Sequence, residues 1–71
     1  MNKLPKEKAK ELFDEYYMLI LNTGGELSNE IIISILAKQS CLIAVKQILD
    51  NDLNNEVYYY WEEVEEEINN L

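Results

Sequence analysis

Apolar side chains return every third or fourth position in the first segment. Counting from Ala9, the residues Leu12, Phe13, Tyr16, Tyr17 and Ile20 fall three, four, seven, eight and eleven places on, while Glu7, Lys8, Glu11, Asp14 and Glu15 occupy the other side. That spacing is one face of a 3.6-residue helix. Pro5 suits the first helical position, where its fixed φ and missing amide cost nothing. Thr23-Gly24-Gly25 ends the pattern, with Gly24 free to take a left-handed conformation. The predicted helix covers 5–22, and Met18 alone falls among its charges.

The second segment is predicted helical over 29–50. Ser28 or Asn29 can cap its free amides, and Glu30 suits the positive end of the helix dipole. Ile33, Ala44, Ala37, Ile48, Cys41, Val45, Ile31, Leu49, Leu42 and Ile35 share one broad arc, interrupted by Ser34 and Lys38. The opposite side holds Gln39, Lys46, Gln47 and Asp50, yet Ile32, Leu36 and Ile43 also fall there, lined up along the axis. The helix therefore has two apolar faces, and it must be either flanked on both sides or half exposed to a partner. Self-association through Ile32, Leu36 and Ile43, giving a homodimer, is one outcome of the second case.

The third segment follows Asn51-Asp52-Leu53-Asn54-Asn55, whose side chains suit turns and caps. Its predicted helix covers 56–70, with Val57, Tyr60, Trp61, Val64, Ile68 and Leu71 as the inward stripe. Glu62, Glu63 and Glu66 form the outer face, with Glu65 and Glu67 on its flanks. Glutamates near a helix C-terminus oppose the dipole, so this end is expected to fray. A strand over Val57 to Trp61 would suit the aromatic residues but has nothing to pair with. The expected fold is all-α, a small three-helix bundle in one domain, 1–71.

Seventy-one residues give that bundle a thin core, since folding hides only about 60% of the surface of so short a chain. Local consistency or a second copy must make up the margin. The net charge is −8, and it is unevenly spread: residues 1–10 carry +3, residues 11–50 carry −4 and residues 51–71 carry −7. Most of this surface repels nucleic acid and anionic lipid, so direct DNA binding is not expected, and Lys3, Lys6, Lys8 and Lys10 are the only clustered cations. An acidic body favours basic partners and speeds its encounters with them. No apolar run is expected to approach the ~20 residues a membrane crossing needs, because Ser34, Lys38, Gln39 and Ser40 break the most crowded stretch, Ile31 to Val45. With no leader-like start and a single cysteine, the expected location is a reducing cytoplasm.

Histidine and arginine are both absent. The commonest general base and metal ligand and the bidentate phosphate fork are missing together, so no catalytic residue, metal or cofactor is expected. Cys41 lacks an activating base and points inward by phase, and Gly24-Gly25 lacks the lysine of a phosphate loop. Consecutive glutamates on a helix point in different directions, which makes Glu62, Glu63, Glu65, Glu66 and Glu67 a solvated face rather than an ion cage. Tyr58, Tyr59, Tyr60 and Trp61 cannot all face inward; Tyr59 points away from the stripe and Tyr58 lies at its margin. Exposed tyrosine beside negative charge is a natural binding anchor. The expected partner-binding set is Tyr58, Tyr59, Glu62, Glu63, Glu66 and Glu67.

Ala37-Lys38-Gln39-Ser40-Cys41-Leu42-Ile43-Ala44-Val45, the run from Tyr60 to Ile68 and the opening Lys8-Ala9-Lys10-Glu11-Leu12 together resemble a group of small uncharacterised phage and prophage helical proteins. The group shows cysteine and alanine where Ser40 and Cys41 stand, and glutamine, lysine and glutamine where Glu62, Glu65 and Glu66 stand. The chain also resembles anti-CRISPR proteins in size, charge and lack of catalytic groups. That resemblance implies a non-enzymatic inhibitor in the host cytoplasm, binding a basic defence protein such as a CRISPR effector nuclease or its RNA complex. A type VI RNA-targeting effector, blocked in its RNA binding or activity, is the most specific form of that expectation.

Overall fold

The computed structural model describes residues 3–24, 29–51 and 53–71, so Gly25, Ser28 and Asp52 lie outside the described residues. Three helices follow one another: α1 (Pro5–Asn22), α2 (Glu30–Leu49) and α3 (Asn55–Asn69). Each agrees with its expected span to within a residue or so. Among the described residues there is no strand, and Val57 to Trp61 is helix.

Local chemistry explains the boundaries. Pro5 opens α1, and the Glu7 carboxylate reaches back to accept from the Leu4 amide at 3.1 Å. The Thr23 hydroxyl donates to the Leu19 carbonyl at 2.8 Å, and Gly24 follows at φ +115°, which a side chain would make costly. Asn29 and Asn54 cap α2 and α3, each side-chain oxygen accepting a backbone amide at 2.9 and 3.0 Å.

The helices pack in an up-down-up bundle in which every pair touches. The Tyr60 hydroxyl donates to the Lys3 carbonyl at 2.9 Å, and at the other end Phe13 and Leu71 line one notch, so α1 and α3 run parallel. The Lys38 ammonium donates to the Asn69 carbonyl at 2.9 Å, which sets α2 antiparallel to both. Ala9, Cys41, Val45, Val64 and Ile68 are fully buried and form the core where the three helices meet. Leu12, Phe13, Tyr16, Leu42, Leu49, Tyr60 and Trp61 pack around them.

The bundle is staggered along its axis. Pro5 and Lys6 stand level with Glu63, Glu66 and Glu67, so the first turns of α3 run below the start of α1. The last turns of α1 and the first of α2 run beyond the end of α3. The molecule measures 42 × 20 × 18 Å, long for its size. This stagger corrects three inward assignments. Ile31 and Ile35 were expected on the buried arc of α2, and Leu71 on that of α3, yet they are 72%, 51% and 52% exposed. Ile31 and Ile35 continue the α2 row that meets α3, but α3 has already ended; Leu71 is the residue at that ending.

The end of α3, where fraying is expected, carries a contact from α2 that opposes it. The Asn70 amide returns to the Glu66 and Glu67 carbonyls, and Lys38 brings a positive charge to the Asn69 carbonyl from the neighbouring helix. A cation there offsets the dipole that the glutamates oppose. Lys38→Ala should cost about 1 kcal/mol. It should also raise amide hydrogen exchange selectively at residues 66–70; unchanged exchange there would mean that this contact does not hold the helix end.

Candidate functional site

The outer side of α3 brings Tyr59, Glu62, Glu63, Glu65, Glu66 and Asn69 together around an open concavity of about 450 Å³. Helical phase explains the grouping, since positions 59, 62, 63 and 66 stack on the face opposite Val64 and Ile68. Tyr59 is 60% exposed and Tyr58 38%, and the two rings meet edge to face at 6.0 Å and 76°. Tyr60 and Trp61 make a second edge-to-face pair at 5.4 Å, turned toward the core. Of the expected set, Tyr59, Glu62, Glu63 and Glu66 share the concavity, and Tyr58 flanks it through Tyr59. Glu67 lies outside that concavity, half-buried in a neighbouring hollow that it shares with Leu4, Pro5, Lys6, Glu63 and Glu66. Glu65 and Asn69 were missing from the expected set; a wider helical arc would have included both.

Lys6 borders this face, sharing a shallow hollow with Glu63, Glu66 and Glu67, but is ion-paired to none of them. Among the described residues, the ion pairs join Lys3 and Lys8 to Glu11 on α1, and none involves an acid of α3. No group of three acidic or cysteine side chains among the described residues is arranged to hold a metal ion. The carboxylates instead form an extended surface of one sign, suited to meeting positive charge by many weak contacts.

Cys41 sits at the centre of the core with no exposed surface. Burial pushes its thiol up from an ordinary 9.0 to about 11, with the Glu15 charge adding to the rise and a backbone hydrogen bond opposing it. A thiol so held is a packing residue, not a nucleophile. Tyr60 is also raised above its ordinary value, first by burial and then by the Glu7 charge.

Comparison with known proteins finds no matching family model, no matching curated protein and no matching solved structure. The chemistry therefore rests on the surfaces. The second of these belongs to α2, where Ile32, Leu36 and Ile43 are 47%, 44% and 61% exposed and neither neighbouring helix covers them. Of the two arrangements expected for this helix, the half-exposed one holds. By length and hydropathy α2 would also pass for a membrane-crossing helix, a test that the core helix of a bundle passes equally. Only 22% of that apolar stretch is buried, although α2 packs against both other helices and sends Lys38 across to α3.

Proposed function

We propose that this chain is a non-catalytic binding protein that docks the acidic face of α3 on a basic protein surface. The supporting observation is the run of exposed carboxylates, Glu62, Glu63 and Glu66 with Glu65 beside them, set next to the open Tyr59 ring and ion-paired to no lysine among the described residues. Charge of one sign steers the encounter, and a half-exposed aromatic ring supplies the anchor once contact is made.

The finer reading is an inhibitor of a host nucleic-acid enzyme. A channel that binds guide or target RNA is lined with cations and is complementary to this face. The resemblance of residues 37–45 and 60–68 to phage and prophage proteins supports a defence target, and an RNA-guided effector nuclease is the class it favours. Acting as a steric and electrostatic plug, the chain would need no catalytic residue.

Affinity capture from bacterial lysate tests the reading. Wild type should retain a basic nucleic-acid-binding protein, and the triple variant Glu62→Gln, Glu63→Gln, Glu66→Gln should slow association with that protein by about tenfold at low salt. Tyr59→Ala should instead speed dissociation. Recovery of nothing at low salt, or an association rate indifferent to the three substitutions, would remove the acidic face from the account.

A further inference from the structure

We draw no further inference here: the strongest candidate, the outer face of α2 where Ile32, Leu36 and Ile43 are exposed beyond the reach of α1 and α3, is an unpartnered apolar surface, and nothing in the structure shows what covers it.

Discussion

Ile68→Ala is expected to lower the thermal midpoint by at least about 10 °C and to leave a measurable unfolded fraction near room temperature. Ile68 has no exposed surface and packs with Ala9, Cys41, Val45 and Val64 where all three helices meet. Removing three buried carbons from such a place costs about 2–5 kcal/mol, since the surroundings close the cavity only in part. A chain of 71 residues has a total stability of only about 4–11 kcal/mol. In a domain this small each kcal/mol moves the midpoint by about 4–8 °C. Ile43→Ala, at a position 61% exposed, should change the midpoint by a few degrees at most, which separates packing from helix propensity. Circular dichroism melts of the two variants decide the matter. Similar midpoints for both would show that α3 does not close the core as described.

Alkaline pH should produce the second large effect. The folded chain holds the Cys41 thiol near 11, against 9.0 for an ordinary cysteine, because the buried site disfavours the thiolate. The neutral form is therefore the one the fold favours. Its stabilisation is complete below pH 9.0 and is lost as pH rises toward 11, while the unfolded chain ionises first. The two-unit displacement amounts to about 3 kcal/mol. Tyr60 is displaced in the same direction and adds to the loss at higher pH. Urea midpoints should be flat from neutral pH to about 9 and then fall steeply, and Cys41→Ala should remove most of the fall at a cost of about 1 kcal/mol at neutral pH. A thiol reagent offers an independent check. Near pH 8 the native thiolate fraction is about a hundredfold below that of an ordinary cysteine, so labelling should be slow until denaturant is added. Prompt labelling of the native chain, or a midpoint that holds to pH 11, would contradict the buried setting of Cys41.

The candidate surface was legible as far as phase can reach. Tyr59, Glu62, Glu63 and Glu66 lie on one helical face because their spacing requires it, and the structure brings them to one concavity. Glu67 falls outside the concavity, on the side of α3 where Glu63 and Glu66 also border Pro5 and Lys6, and the phase of a residue on α3 does not say where α1 begins. Lys38 shows the same limit. Its position in the chain marks it as an interruption of an apolar arc, and only the antiparallel alignment of α2 reveals that it reaches the Asn69 carbonyl and steadies the end of α3.

Local chemistry was enough to define the three helices, because their signals lie within a few residues of each other: Pro5 and Gly24 around α1, Asn29 before α2, Asn54 before α3, and the repeat of apolar side chains between them. The inward faces of Ala9, Val64 and Ile68 and the burial of Cys41 follow from the same repeat. The axial offset between helices has no such local source. It depends on which side chains interlock when α3 slides along α1 and α2, and that is a balance among contacts far apart in the chain. The offset leaves Ile31, Ile35 and Leu71 in solvent and creates the notch beside Phe13. Helical phase says which way a side chain points; the packed bundle decides whether anything is there to meet it.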